Sequence, residues 1–162
     1  MLSCIKLNMK DLIVCFYQAF HQLDANKMTS YYHKDVVFED PAFGVLKAER
    51  ARAMWKMLCE SQKGKDFKIE STNITENSAH WEAFYTFSKT GRKVHNKIDA
   101  RFEFKDGLII KHTDDFNLHN WAKQAIGFKG LLLGGSGFFK KKLQSQTNYL
   151  LDKYMAEKKL PN

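Results

Sequence analysis

The sequence is poor in proline and contains no long apolar run. It has two prolines in 162 residues and no linker rich in serine or proline, which favours a single compact domain. No apolar run approaches the roughly 20 residues of a membrane-spanning helix. Residues 1–8 lack the apolar stretch of a secretory signal, so we expect a cytoplasmic protein.

Cysteine is also scarce. Cys4, Cys15 and Cys59 are odd in number, and their spacing matches neither a disulfide framework nor a zinc site. We therefore expect buried thiols, no metal site and no cofactor.

Acidic residues are outnumbered by basic ones, and the formal net charge is +8. A nucleic-acid surface needs clustered lysine and arginine, whereas here these residues are spread along the chain, apart from Lys140-Lys141-Lys142. The sequence also lacks a helix-turn-helix, zinc-finger or aromatic RNA-binding motif. A nucleic-acid partner is therefore not expected.

Hydrophobic and aromatic side chains are abundant, at 44% and 14% of the residues, enough for a core and an interior cavity. Apolar residues recur at helical spacing over about 9–24 and 47–62, with a short helix predicted near 26–33. Asn8 followed by Asp11 is a typical start signal for the first of these helices.

The apolar period changes to two in the second half of the chain. This period predicts an antiparallel meander of strands near 66–76, 79–89, 93–105 and 108–118. Helices followed by strands indicate an α+β fold, in which the helices cover one face of a curved sheet and a cavity can remain between them.

Asp40 stands at the end of an earlier apolar strand and directly before Pro41. Proline cannot donate to a strand ladder and restricts the residue before it to extended geometry, so the Asp40 carboxylate is predicted to be held at a strand end. That position suits a proton-transfer base. The alternative is that Asp40 only starts a turn, since Asp-Pro is a common turn sequence.

Alternation along the late strands predicts which side chains face the helices. On the strand near 93–105 the inward set is Val94, Asn96, Ile98, Ala100, Phe102 and Phe104. On the last strand it is Ile110, His112, Asp114, Phe116 and Leu118, and Trp81 lies on the same face of another strand. For Asn96, His112 and Asp114 the structural alternative is a buried polar group satisfied by hydrogen bonds.

The order of elements and the segment Phe38-Glu39-Asp40-Pro41 resemble the nuclear transport factor 2-like superfamily over about residues 8–120. Within it they resemble the SnoaL-like polyketide cyclases and the ketosteroid isomerases. The resemblance implies a cone-shaped curved antiparallel sheet covered by three N-terminal helices. It also implies a domain over residues 1–120 and a C-terminal helical extension over 121–162.

In ketosteroid isomerases the catalytic base is an aspartate in a closely similar Glu-Asp-Pro segment, which implies that role for Asp40. Tyr32 matches a tyrosine of that family's hydrogen-bonded network. Phe16 falls where the family has its oxyanion-hole tyrosine, and Trp55 falls near another network tyrosine. Two hydroxyl groups of the family's network are therefore missing.

The family's second oxyanion donor is a protonated aspartate in an apolar site. An ungapped match places Asp99 there, but alternation places Asp99 on the polar face and favours Ala100. The chain is therefore more similar to the cyclases, in which an inward aspartate on a late strand is a general acid or base. Asp114 matches that aspartate, and His112 beside it can share a proton near neutral pH.

We therefore expect an isomerase or cyclase acting on a small hydrophobic carbonyl compound, with Asp40, His112 and Asp114 as catalytic residues. The expected ligand contacts are mostly aromatic: Phe16, Tyr32, Trp55, Trp81, Asn96 and Phe116. For Tyr32, Trp55, Trp81 and Phe116 the alternative is a role in the core, because aromatic residues fill helix–sheet interfaces. The alternative is a non-catalytic ligand-binding or dimerisation module of the same fold. The charged face from His95 to Glu103 is predicted to be solvated, and the resemblance to this superfamily suggests that it could instead pair two subunits in a homodimer.

Several glycines in residues 127–139 are predicted to interrupt any long helix. A helix is expected to resume over about 138–157, with Leu143, Leu150 and Tyr154 on one stripe. The preferred role of this extension is packing over the cavity mouth or against a partner subunit. A less favoured role is docking on a membrane surface through residues 131–142, which combine leucine and phenylalanine with three lysines.

Overall fold

A computed structural model describes residues 7–161, so the prediction for Cys4 and most of the segment tested for a signal lie outside the described residues. Cys59 is buried as expected, and Cys15 is partly exposed. The helices are α1 (Met9–His21), α2 (Ala25–Ser30), α3 (Ala48–Gln62), α4 (Leu118–Ile126), α5 (Phe128–Leu133) and α6 (Gly137–Lys158). The strands are β1 (Tyr32–Asp40), β2 (Gly44–Lys47), β3 (Lys68–Thr72), β4 (Ser78–Phe87), β5 (Arg92–Lys105) and β6 (Leu108–Asp115).

The strands form one curved, unclosed sheet in the order β2-β1-β6-β5-β4-β3. The predicted α+β fold, with three helices before most of the sheet and helices after it, is confirmed. The predicted meander β3–β6 is antiparallel throughout. Strand β1 joins it by a parallel pairing with β6, which places Phe38 opposite His112. This pairing and the short strand β2 were not predicted.

The core lies between the helices and the inner face of the sheet. It includes Phe16 from α1, Phe38 from β1, Trp55 from α3 and Ile98 from β5, each at most 2% exposed. Helix α1 begins as predicted, because the Asn8 side chain accepts the backbone N–H of Asp11 at 2.8 Å.

The predicted inward face of β5 is confirmed. Ala100 is buried, whereas Asp99 lies on the outer face and bonds His80 at 2.8 Å. The prediction for Ile110 is wrong, because the pairing of β5 with β6 shifts register between Glu103 and Phe104. As a result Ile109, with 0% exposure, occupies the core position.

The C-terminal extension is interrupted at glycines, as predicted. Helix α4 ends at Gly127, whose φ of 76° favours glycine, and α5 ends before Gly134. Helix α6 packs against α3 along Leu151 and Met155, which are the buried residues of the helix. The predicted stripe of Leu143, Leu150 and Tyr154 lies beside this contact and is only partly covered. Over residues 7–161, no helix combines the length and apolarity needed to cross a membrane.

Helix α5 packs closely against α4 at Gly130. A β-carbon at this position would lie 1.9 Å from the carbonyl oxygen of Ala122. We expect Gly130→Ala to lower the free energy of unfolding by about 1–3 kcal/mol, because the backbones must move apart. Urea denaturation measures this change.

The matched control is Gly137→Ala in the first turn of α6, where a β-carbon meets nothing within 4 Å. This substitution is expected to be neutral or slightly stabilising, since alanine favours the helix by up to about 1 kcal/mol. Equal effects of the two substitutions would contradict the close α4–α5 packing.

Candidate active site

A cavity of about 400 Å³ lies between the inner face of the sheet and helices α3 and α6. This volume is typical of small-molecule sites. Its wall is mainly apolar and aromatic, with Phe38, Trp55, Trp81, Ile98 and Phe116 among the lining residues. Two carboxylates, those of Asp40 and Asp114, and the amide of Asn96 also line it.

Asp40 is the last residue of β1, as its position before Pro41 predicted. Its Oδ1 atom accepts the backbone N–H groups of Ala42 at 2.9 Å and Phe43 at 2.6 Å. These bonds fix the carboxylate at the start of the turn that leads to β2. They occupy one carboxylate oxygen and leave Oδ2 for a ligand, so the turn role and the role of a base are compatible.

Helix α6 holds the same turn from the other side. The carbonyl groups of residues 41–43 accept hydrogen bonds from Gln144 Nε2 at 3.1 Å, Thr147 Oγ1 at 2.8 Å and Asn148 Nδ2 at 2.9 Å. Thr147 also lines the cavity. The C-terminal extension therefore packs over the cavity and positions Asp40.

The pKa of Asp40 is raised from its ordinary 3.8 to about 7. Burial is the largest cause, the negative charge of Asp114 adds to the rise, and the N–H groups of Phe43 and Ala42 oppose it. Burial dominates because an apolar wall disfavours the charged form of a carboxyl group. Near neutral pH, Asp40 can therefore both accept and release a proton.

Asp114 belongs to a buried chain of hydrogen bonds. Trp55 Nε1 donates to the Tyr32 hydroxyl at 2.7 Å, and that hydroxyl lies 2.7 Å from His112 Nδ1. His112 Nε2 lies 2.9 Å from Asp114 Oδ1, which also accepts a longer bond from Trp81 Nε1 at 3.3 Å.

The donor in each of these hydrogen bonds follows from the chemistry of the groups involved. Indole nitrogen only donates, so Tyr32 accepts from Trp55 and can donate its own proton to an unprotonated His112 Nδ1. In the neutral imidazole the proton is then on Nε2 and is donated to Asp114. The chain thus fixes the tautomer of His112 and the orientation of the Asp114 carboxylate.

The structure brings together six of the nine residues predicted for the site. Those at the cavity wall are Asp40, Trp55, Trp81, Asn96, Asp114 and Phe116. Phe16, Tyr32 and His112 do not line the cavity. Phe16 and Tyr32 each pack on His112, which is 0% exposed, so the three form a layer behind the wall. The predicted ligand contacts of Phe16 and Tyr32 do not fit these positions, and His112 can act only through Asp114.

Tyr17 was missed by the sequence analysis. It is 2% exposed and its hydroxyl has no hydrogen-bond partner among the described residues. Burial raises the pKa of Tyr17, and the nearby charge of Asp114 adds to the rise. Its spacing from Ile13 and Phe20, four and three positions away, is the helical signal that could have identified it as inward-facing.

No group of three or more histidine, cysteine or acidic side chains within residues 7–161 is arranged to hold a metal ion. The arrangement instead offers proton chemistry. It places a carboxyl group of near-neutral pKa and a second, hydrogen-bonded carboxylate at the wall of one apolar cavity.

Several solved structures have a fold similar to that of this chain. A proposed polyketide cyclase from Xanthomonas campestris pv. campestris is 17% identical, with a TM-score of 0.56 over 72% of this chain and 96% of that one. A proposed isomerase from Bacillus subtilis is 16% identical, with a TM-score of 0.56 over 74% and 93% of the two chains. An LEH-like epoxide hydrolase from M. tuberculosis is 19% identical, with a TM-score of 0.53 over 78% and 91%. At these identities the similarity concerns the fold alone.

No curated protein matches the chain. The sequence model of the SnoaL-like domain matches residues 13–112, which is more than half of the chain and includes β1, α3 and most of the sheet. The chain therefore belongs to the SnoaL-like family of nuclear transport factor 2-like proteins.

Proposed function

We propose that this protein catalyses proton transfer on a small hydrophobic carbonyl compound, leading to isomerisation or cyclisation. The observation that supports this most strongly is Asp40, a carboxyl group whose pKa is raised to about 7 and which lines an apolar cavity. A base is most effective when its pKa lies near the working pH.

In the proposed reaction, Asp40 Oδ2 removes a proton from the carbon next to the substrate carbonyl. The C–H bond breaks, an O–H bond forms on Asp40, and the electron pair moves into the enolate. Asp40 then returns the proton to another carbon, which isomerises the substrate. Alternatively the enolate attacks a second carbonyl of the same molecule, and the resulting alkoxide takes the proton, which closes a ring.

Asp114 and Asn96 are the other polar groups of the wall with roles in this scheme. The amide of Asn96 can donate to the oxygen on which charge develops, which is the usual way to stabilise an enolate. Asp114 is proposed as a second acid or base, with His112 as its hydrogen-bonded partner. The rest of the wall is mainly apolar, which limits water and strengthens these interactions.

The fold neighbours support this reaction class, since they include a proposed polyketide cyclase and a proposed isomerase. The second candidate function is binding of a hydrophobic ligand without catalysis. One observation favours it: Phe16 and Trp55 offer no hydroxyl where the family resemblance implies tyrosines.

The decisive substitution is Asp40→Asn, because the asparagine oxygen can still accept the N–H groups of Ala42 and Phe43. We expect folding to be retained and turnover to fall about 10²–10⁴-fold, the usual contribution of a general base. The assay is a panel of cyclic ketones and aromatic polyketide-like compounds, first selected by thermal-shift binding to the unaltered protein.

Asp35→Asn is the matched control, since Asp35 lies on the same strand with a side chain 66% exposed, and it should leave turnover unchanged. If Asp40→Asn turns over a substrate at the wild-type rate, Asp40 is not the base. If ligands bind but none is converted by either protein, the binding function holds instead.

The raised pKa of Asp40 also predicts how stability depends on pH. The folded state binds this proton more tightly than the unfolded state between pH 3.8 and about 7, so the contribution of Asp40 to stability falls as the pH rises through that interval. Asp40→Asn removes this dependence. Relative to wild type, the variant should therefore gain on the order of 2 kcal/mol in free energy of unfolding between pH 5 and pH 8. A constant difference in urea titrations at the two pH values would exclude the raised pKa.

Asp114→Asn tests the electrostatic coupling between the two carboxyl groups. Asparagine can still accept from His112 and Trp81, but it carries no charge, so the pKa of Asp40 should fall. The test compares the Asp114→Asn protein with the Asp40→Asn, Asp114→Asn double variant by urea denaturation at pH 5 and pH 8. The difference in free energy of unfolding between these two proteins should change less with pH than the difference between wild type and Asp40→Asn. An unchanged dependence would mean that Asp114 does not act on Asp40.

A further inference from the structure

Helix α5 and the start of α6 expose large apolar side chains to solvent. These are Phe128 at 72%, Leu131 at 42%, Leu132 at 65%, Leu133 at 56% and Phe138 at 75% exposure. Lys129 and Lys140–Lys142 are exposed among and beside them. We call this set of nine residues the basic apolar patch.

The packing of α5 enforces this exposure. The buried residue of α5 is Gly130, and a β-carbon there would lie 1.9 Å from the Ala122 carbonyl oxygen. A β-carbon on Gly134 would lie 2.5 Å from the Ala122 β-carbon. His119 Nε2 also bonds the Leu131 carbonyl at 2.7 Å. Helix α5 therefore meets α4 through its glycines and turns its leucines outward, the reverse of an ordinary amphipathic helix.

The charged residues in the stretch of sequence that carries the patch have one sign. No aspartate or glutamate occurs between Asp115 and Asp152, and the lysines of that stretch are Lys123, Lys129, Lys140, Lys141 and Lys142. A two-fold contact between two copies through this patch would bring the same lysines face to face, since such contacts use one surface twice. The complementary surface is both apolar and negatively charged.

We propose that the basic apolar patch docks the protein on a bilayer that contains anionic lipids. Phe128, Leu132 and Phe138 enter the boundary between headgroups and acyl chains, and the lysines contact the headgroups. This inference goes beyond the proposed function and does not depend on it. Because Leu143 of the same helix lines the cavity directly after Lys142, docking would also hold the cavity wall close to a source of lipophilic ligands.

Vesicle co-sedimentation of the full chain tests the proposal. We expect binding to phosphatidylcholine vesicles with about one-third phosphatidylserine, and binding about tenfold or more weaker to phosphatidylcholine alone. Leu132→Ser combined with Phe138→Ser should weaken binding to the anionic vesicles about tenfold or more, because the inserting side chains are lost. Replacing Lys140, Lys141 and Lys142 by glutamine should have a similar effect.

Two control variants replace the same kinds of side chain, apolar and lysine, at exposed positions outside the patch. Val45→Ser replaces an apolar residue that is 55% exposed on β2, and glutamine at Lys153, Lys158 and Lys159 removes three charges from the far end of α6. Both should bind like wild type. Unchanged thermal unfolding would show that each patch variant is folded, as expected for exposed side chains.

Three results would overturn the proposal. One is no wild-type binding to anionic vesicles, or equal binding to neutral ones. Another is undiminished binding of the Leu132→Ser, Phe138→Ser protein. The third is a wild-type oligomer in vesicle-free ultracentrifugation that this double variant dissociates, which would make the patch a contact between copies of the chain.

Discussion

A carboxyl group at an apolar wall is the constraint on which the rest of this site depends. Ionised carboxylates are costly to remove from water, so Asp40 is retained there by two backbone N–H groups and by a shift of its pKa to about 7. The turn that supplies these N–H groups is in turn held by three side chains of α6. The C-terminal helix is thus part of the support of Asp40 and not an accessory to the domain.

The second carboxylate is held in a different way. Asp114 is nearly fully buried, yet it accepts hydrogen bonds from His112 and Trp81, and His112 is oriented by Tyr32 and Trp55. Asp40 accepts the backbone N–H groups of its own turn, whereas Asp114 accepts bonds from side chains. The two carboxyl groups of one cavity are therefore positioned by different parts of the fold.

Features that depend on local sequence patterns were predicted correctly from the sequence. Alternation along β5 placed Ala100 inward against the ungapped family match, and the proline after Asp40 predicted its position at a strand end. Non-local features were not accessible: the parallel pairing of β1 with β6, the register shift that replaces Ile110 by Ile109, and the α6 side chains on the Asp40 turn. Each depends on tertiary contacts that leave no period in the chain. The same limit applies to Phe16 and Tyr32, which pack on His112 behind the residues that line the cavity.

The proposed chemistry depends most on the ionisation of Asp40 in its cavity. The most direct measurement is an NMR titration of the side-chain carboxyl carbon of Asp40, assigned by its absence from the Asp40→Asn protein. A midpoint near 7 is expected. A midpoint near the ordinary 3.8 would show that burial does not raise the pKa of this carboxyl group, and it would contradict the proposed base.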